Sequence, residues 1–503
     1  MLDFASVFSC FLDPEIVLFV FIGAVAGTFV GAIPGLSVTM ATALLVSITY
    51  AWDTAHALST IMGVYVVGVF SGAISAILIN IPGAPSSVVT ALDGYPLAKR
   101  GEGYKALKYA VVYSFVGTVF GILVLWIAAK PVTAIALKFQ PMDYFLIALF
   151  GLATVGSLTA KSLSRGLISA MIGLMFSLIG TDSVVGTARL TFGIRNLQAG
   201  ISTVPALVGL FGFAEVLNVV CSKDLTAQVL KFKRQVVKMR EILKHFWHSL
   251  YYSTIGVLIG ALPGAGGPVA AFIAYGQAKK IVKKPSREFG DGAVEGIVAS
   301  ESSNNAVIGG ALIPMLTLAI PGDATTAVLL SVFYIHGLRP GPTFLMTDAD
   351  KFSLIIGASL IACVFLLLIG LIAGPYISRV ISVPKRIMMP IVTVLCVVGA
   401  YACNSRLFDV AVMFFFGVLG FLLQKREYPV APVILGLVLG GMMDSNFRRA
   451  VSLAISDDNF LASMLGRPIT MVLLLLTVFS IISNIPAVKK LLSFKKKQPN
   501  TNN

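Results

Sequence analysis

Charge is scarce in this chain. Only 12% of its 503 residues are Asp, Glu, Lys or Arg, where a soluble globular domain carries about a quarter. A water-soluble globule is thereby excluded. Lys and Arg are missing altogether before Lys99. The N-terminal stretch MLDFASVFSCFLDPE has acids and no basic n-region, so a cleaved signal peptide is not expected. The first helix is expected to be retained, with the N-terminus outside. Five cysteines (Cys10, Cys221, Cys363, Cys396 and Cys403) show no C-x-x-C or metal-ligand spacing, so no disulfide or zinc framework is expected. There is no G-x-x-x-x-G-K-[ST] loop, no H-E-x-x-H and no G-x-S-x-G. ATP hydrolysis and soluble-type catalysis therefore have no motif to stand on, and the chain reads as no enzyme.

What is abundant is apolar sequence, 57% of the residues. Ile16–Ile33, Tyr109–Ala129, Leu354–Ala373 and Ile469–Ile485 are of membrane-spanning length. The fold class expected is an all-α polytopic membrane protein, with roughly 11 to 13 hydrophobic segments on the ~20-residue span rule. The net charge of +15 sits in short clusters between apolar segments. That is how topology-setting cytoplasmic loops look. No base-stacking motif accompanies them, so nucleic acid is not an expected partner.

Four apolar stretches are interrupted in a way lipid-facing helices are not. Residues 23–35 read GAVAGTFVGAIPG: glycines recur every four residues on one face, then Pro34-Gly35 breaks the helix. Residues 71–96 carry Asn80, Pro82-Gly83 and Pro85-Ser86-Ser87. Residues 256–267 read GVLIGALPGAGG, with Gly264 and Gly266 after the proline. Residues 301–341 carry Asn304, Asn305, Pro321-Gly322, Asp323, Thr325 and Thr326. Polar groups and helix breaks at membrane depth persist only where protein buries them or a cavity wets them. Glu301 is placed towards the cytoplasmic end of its helix.

The breaks are duplicated. Gly27-xxx-Gly31-Ala-Ile-Pro34-Gly35 aligns without a gap on Gly256-xxx-Gly260-Ala-Leu-Pro263-Gly264, and Ile81-Pro-Gly-Ala-Pro-Ser86-Ser87 on Ile320-Pro-Gly-Asp-Ala-Thr325-Thr326. The flanking loops reverse their charge between the copies. The basic loop LAKRGEGYKALK follows the second break of the first copy, whereas QAKKIVKKPSRE follows the first break of the second. With basic loops in the cytoplasm, the copies have opposite orientation, the inverted-repeat build of secondary transporters. The expected organisation is a first transmembrane repeat over 1–220, a basic cytoplasmic linker over 221–248 in contact with membrane lipid, a second repeat over 249–467, and a last helix with a basic cytoplasmic tail over 468–503.

A helix N-terminus offers unpaired N–H groups and about half a positive charge, and holds a carboxylate without a basic side chain. The candidate substrate-binding residues are therefore Pro34, Gly35, Asn80, Ser86, Ser87, Gly264, Gly266, Asn304, Asn305, Thr325 and Thr326. Asp323 has two readings. It is a helix N-cap, or a site for a coupling Na⁺ or H⁺, with Asn304 or Asn305 and the carbonyls freed by Pro321-Gly322 completing a hard-oxygen shell. No other cofactor is expected.

These stretches resemble one family. GAIPGLSVTMATALL at 31–45, SGAISAILINIPGAPSSVVTALDGYPLAKRGEG at 71–103, GALPGAGG at 260–267 and EGIVASESSNNAVIGGALIPMLTLAIPGDATTAVLLSVFYIHGLRPGP at 295–342 are similar to the large membrane subunit of tripartite tricarboxylate transporters. That family often has small apolar residues where Ser302 and Ser303 stand. The resemblance implies a Na⁺- or H⁺-coupled importer of tri- or dicarboxylates such as citrate, working by alternating access in the bacterial inner membrane. It also implies a small four-helix membrane subunit and an extracytoplasmic solute-binding protein as partners. The alternatives are a transporter of the same build for another solute, and a membrane-embedded enzyme or scaffold.

Overall fold

The computed structural model describes residues 4–33, 36–158, 163–182, 186–221, 237–372, 385–455 and 466–483. Pro34 and Gly35, most of the basic linker and the C-terminal tail lie outside the described residues. The described residues are predominantly helical. Six described helices are long and apolar enough to cross a membrane, and five shorter ones of 10–17 residues are also apolar.

Contacts divide the chain into two compact units. The first takes Met1–Leu137 and Ser202–Leu423, and the second takes Lys138–Ile201 and Gln424–Asn503. In the first, α1 (Phe4–Ser9), α2 (Pro14–Ala32), α3 (Val38–Thr49), α4 (Thr54–Ile79), α5 (Ser87–Leu97) and α6 (Gly103–Ala136) are followed by α9 (Thr203–Cys221). Then come α10 (Phe246–Gly260), α11 (Gly266–Ile281), α12 (Val294–Leu318), α13 (Ala324–Ile335), α14 (Ala349–Ile372), α15 (Lys385–Ala402) and α16 (Leu407–Lys425). The second unit packs α7 (Pro141–Leu158), α8 (Leu163–Ser177), α17 (Ala431–Ala454) and α18 (Pro468–Ser483). Its stretch 180–200 holds a small antiparallel ribbon pairing Gly180–Thr181 with Ala188–Arg189. Arg189 reaches Asp444 at 2.9 Å and Arg448 reaches Asp182 at 2.7 Å, so this polar stretch is fastened to α17 by ion pairs.

Local chemistry starts and stops these helices. Asp13 caps α2, accepting the Glu15 N–H at 2.9 Å with Pro14 in the first turn. Ser37 caps α3 through the Met40 N–H at 3.0 Å, and Asp53 caps α4 through Ala55 at 2.8 Å. Helices α4 and α12 end alike: Asn80 (φ 57°) and Ala319 (φ 58°) turn left-handed immediately before an Ile-Pro-Gly. Neither proline can continue a helix.

The two long glycine-faced pairs are packed by the same contacts. A Cβ on Gly27 of α2 would stand 2.7 Å from the Val64 carbonyl oxygen, and one on Gly256 of α10 2.2 Å from that of Ser303. On Gly31 it would meet Gly68 O at 2.3 Å, and on Gly260 it would meet Val307 O at 2.8 Å. On Gly83 it would meet Gly31 O at 2.1 Å, and on Gly322 it would meet Gly260 O at 2.4 Å. Val64 precedes Ile81 by as many residues as Ser303 precedes Ile320, and Gly68 and Val307 correspond likewise. The duplication read from sequence is therefore matched, partner for partner, in backbone-to-backbone packing. Only residues without a side chain allow such approach.

Candidate functional site

Each break is followed by a helix start, and four such starts belong to the first unit: α3, α5, α11 and α13. They touch in sequence. Thr39, in the first turn of α3, shares a hydrogen bond of 2.8 Å with Thr325, in the first turn of α13. The Gly264 N–H donates to the Gly322 carbonyl at 2.6 Å, tying the turn before α11 to the turn before α13. A Cβ on Gly266 would lie 3.4 Å from Asp323 Cβ. One on Gly267 would lie 2.1 Å from Asn304 Oδ1 and 3.3 Å from Ser86 Cβ, so α11, α12 and the start of α5 meet there. Gly264 (φ 74°) and Gly266 (φ 63°) adopt left-handed backbone, which side-chain-bearing residues rarely take.

Ser86, Gly264, Gly266, Asn304, Asp323 and Thr325 are thus brought together, with Ser86, Asn304 and Thr325 buried. Each helix start carries partial positive charge, and the contacts above bring the four starts near one another. None of the break segments 31–40, 80–90, 260–270 and 318–328 contains Lys or Arg. Among the described residues, buried Asn304 Nδ2 has no hydrogen-bond partner. Such an unmet buried donor costs about 1–3 kcal/mol unless a ligand or water takes it.

Other candidates point elsewhere. Ser87 Oγ faces α4, where a Cβ on Gly72 would come within 2.7 Å of it. Asn80 is exposed at the end of α4. Asn305 turns instead to α6, donating to Ser114 Oγ at 3.0 Å. Thr326 is engaged in a capping box. Asp323 Oδ1 accepts the Thr326 N–H at 2.7 Å, while Thr326 Oγ1 accepts the Asp323 N–H at 2.9 Å. The Tyr65 hydroxyl, from α4, donates to the other oxygen of Asp323 at 3.2 Å. One carboxylate oxygen of Asp323 therefore serves the N-cap and the other holds Tyr65 of α4. Ser302 and Ser303 bond back to the Val298 and Ala299 carbonyls at 2.5 and 2.7 Å and pack against glycines of α6 and α10, away from the helix starts. Thr39, Tyr65 and Gly267 were not legible from the sequence as members of this group. Their partners lie on helices distant in the chain.

A multi-pass α-helical membrane protein that gathers broken-helix starts in its interior has the build of a transporter. The chain belongs to the tripartite tricarboxylate transporter TctA family, whose model matches residues 17–435. It is a membrane subunit of a tricarboxylate-type transporter family and, by that family's tripartite nature, works with partner proteins. It is 34% identical over 452 residues, 90% of each chain, to an uncharacterised 52.8 kDa protein of Agrobacterium vitis described by its place in the TAR-I ttuC′ 3′ region. A second protein of the same organism, from the TAR-II ttuC′ 3′ region, is 33% identical over 228 residues. These residues make up 44% of this chain and 93% of that one. No solved structure matches.

Proposed function

We propose that this protein is the solute-translocating subunit of a cation-coupled importer of di- or tricarboxylates, citrate being the reference substrate. The observation that carries this reading is the meeting of four helix starts, with Ser86, Asn304 and Thr325 buried among them and no basic side chain in the segments. Such a region favours a polyanion by backbone N–H groups and helix dipoles. It releases that anion more readily than an arginine clamp would, because no full opposite charge has to be left behind. The partner-for-partner glycine contacts support two structural repeats, and the reversed loop charges support their inversion. Inverted repeats that rock around a fixed site are the usual basis of alternating access.

In this reading the membrane is the bacterial inner membrane, with the N-terminus outside and the basic loops and tail in the cytoplasm. A small four-helix membrane subunit and an extracytoplasmic solute-binding protein complete the system. The test is uptake of labelled citrate and other carboxylates into proteoliposomes carrying this chain and its candidate partners, under imposed Na⁺ and proton gradients. Gradient-dependent uptake supports the reading. Absence of carboxylate flux under both gradients, with flux of an uncharged solute, overturns the substrate class in favour of a same-build transporter for other solutes.

A further inference from the structure

Glu301 lies two turns into α12 and is 0% exposed. Its carboxyl meets only neutral groups. Thr90 Oγ1 bonds Oε1, Ser114 Oγ donates to Oε2 at 2.7 Å, and Asn305 Nδ2 donates to Oε2 at 3.2 Å. Among the described residues it forms no ion pair. Among the described residues, the Tyr252 hydroxyl of α10 and the Tyr275 hydroxyl of α11 are buried without a hydrogen-bond partner, while other ionisable groups on the helices around it are engaged elsewhere. Asp93 of α5 accepts the N–H groups of Gly290, Gly292 and Ala293, and Glu295 of α12 accepts from Ser286. Tyr113 of α6 donates to the Ile242 carbonyl, and Tyr65 of α4 to Asp323. Lys105 of α6 pairs with Glu102, Lys108 lies over the Tyr104 ring, and Lys279 of α11 over the Tyr275 ring. An isolated buried carboxylate without a countercharge is costly, so a proton or a metal cation must accompany it.

The hydrogen bonds decide between the two. Thr90 Oγ1 is also 3.0 Å from Ser300 Oγ, which itself reaches the Ile297 carbonyl at 3.2 Å. With Glu301 protonated on Oε1, its O–H donates to Thr90, Thr90 donates to Ser300, and Ser300 donates to the Ile297 carbonyl. With Glu301 ionised, Thr90 rotates its proton to Oε1 and accepts from Ser300. Every hydroxyl has a partner in both states. A metal cation would instead need several lone pairs turned inward. Here the Asn305 amide presents N–H, and Ser114 presents its proton.

We propose that Glu301 is a proton-binding carboxyl, loaded and unloaded once per transport cycle, which Thr90 couples to the solute-binding start of α5. Ser86, the N-cap residue of α5 with helical backbone, and Thr90 lie four residues apart, on one face. One proton enters from water on the side where solute is taken up, resides on Oε1, and leaves to water on the other side. No other bond forms or breaks. Thr90 is a positioning residue in this scheme. The proposal rests on the transporter reading and identifies its coupling ion.

Two measurements test it. The first is infrared difference spectroscopy of the purified full chain between acid and alkaline buffer, which needs no solute. A protonated-carboxyl band that titrates in the wild type and is absent in Glu301→Gln is expected, with a shifted band in Thr90→Val. Identical difference spectra for wild type and Glu301→Gln overturn the proposal whatever the solute proves to be. The second is labelled-citrate transport in proteoliposomes with partners, the membrane potential clamped at zero. One proton per solute lets an inward gradient of about one pH unit drive about tenfold accumulation in the wild type. Glu301→Gln, a mimic of the protonated state, loses that accumulation while citrate counterflow stays within about threefold. Accumulation in Glu301→Gln equal to wild type overturns the proposal, as does loss of counterflow in folded protein, which would place Glu301 in solute binding. Absence of citrate counterflow in the wild type itself tells against the carboxylate reading alone, and the infrared result then decides the proton site.

Discussion

Gly83 and Gly322 stand at equivalent places in the two halves, and replacing either by alanine should cost stability by the same mechanism. A Cβ at Gly83 would come 2.1 Å from Gly31 O and 3.0 Å from Gly72 Cα. At Gly322 it would come 2.4 Å from Gly260 O and 2.6 Å from Ala311 Cα. A carbon–oxygen contact settles near ~3.3 Å, so each pair must separate by about 1 Å. The obstructing atoms are backbone, held in helices on both sides, so no side-chain rotation relieves them. Overpacking of this kind costs about 1–3 kcal/mol. Gly276, inside α11, is the control, because a Cβ there meets nothing within 4 Å. Gly276→Ala should be neutral or stabilising by up to about 1 kcal/mol, from helix propensity alone. Thermal unfolding of the purified protein in one detergent compares the three. The expected order is Gly276→Ala at or above wild type, with Gly83→Ala and Gly322→Ala both well below. If one glycine proved costly and its counterpart neutral, the duplicated packing would not be what holds the two break regions.

Ser86 and Ser87 should separate in function. Ser86→Ala or Thr325→Ala removes a hydroxyl from the region where the helix starts meet. A hydrogen bond to a charged ligand contributes about 1.5–3 kcal/mol, so citrate KM should rise about tenfold or more. Ser87→Ala, whose hydroxyl faces Gly72, should stay within about twofold; the reverse ranking in an uptake assay would move the site to the other face of α5. Asp323→Ala should lose about 1 kcal/mol of stability with its cap, whereas Asp323→Asn should retain most of it, as read by thermal unfolding. In the second unit, Asp143 is fully buried between Arg467 at 2.7 Å and Thr470 at 2.5 Å. Arg467→Ala leaves that carboxylate uncompensated and should cost about 3 kcal/mol, which Asp143→Asn in the same chain should partly restore. In the loops, Arg100 reaches Asp291 at 2.5 Å and Arg287 reaches Glu102, so the loop after α5 and the loop before α12 are linked twice. Arg100 holds the Asp291 carboxyl below the usual carboxylate range. The link therefore contributes at every pH above that range and is lost only as pH falls through the lowered value. The pair should accordingly add no pH dependence to uptake down to about pH 5. Arg100→Asp should reduce uptake, and adding Asp291→Arg should restore it; failure of the double variant to recover would discard the link as a determinant of transport.

The sequence by itself determined that this is a helical membrane protein, because so few charges leave no soluble alternative. It also located the four breaks, because Pro-Gly inside an apolar run has no lipid-facing solution. The glycine spacing at Gly23, Gly27 and Gly31 announced a close helix contact for the same reason: period and size are local properties. What touches what was decided only by the tertiary structure. Ser86 and Ser87 are neighbours in sequence, yet one meets Gly267 and Asn304 and the other packs on Gly72. The phase of a short helix about its own axis is set by the elements packed on it, not by its own residues. Asn304 and Asn305 divide in the same way, one towards the helix starts and one towards Ser114 and Glu301. Thr39, Tyr65 and Thr90 carry no local sign of their partners, since a single hydroxyl on an apolar helix looks alike whether it bonds its own backbone or a residue more than two hundred positions away. Their partners (Thr325, Asp323 and Glu301) come within reach only when the two halves of the first unit pack together, and that packing is a property of the folded chain.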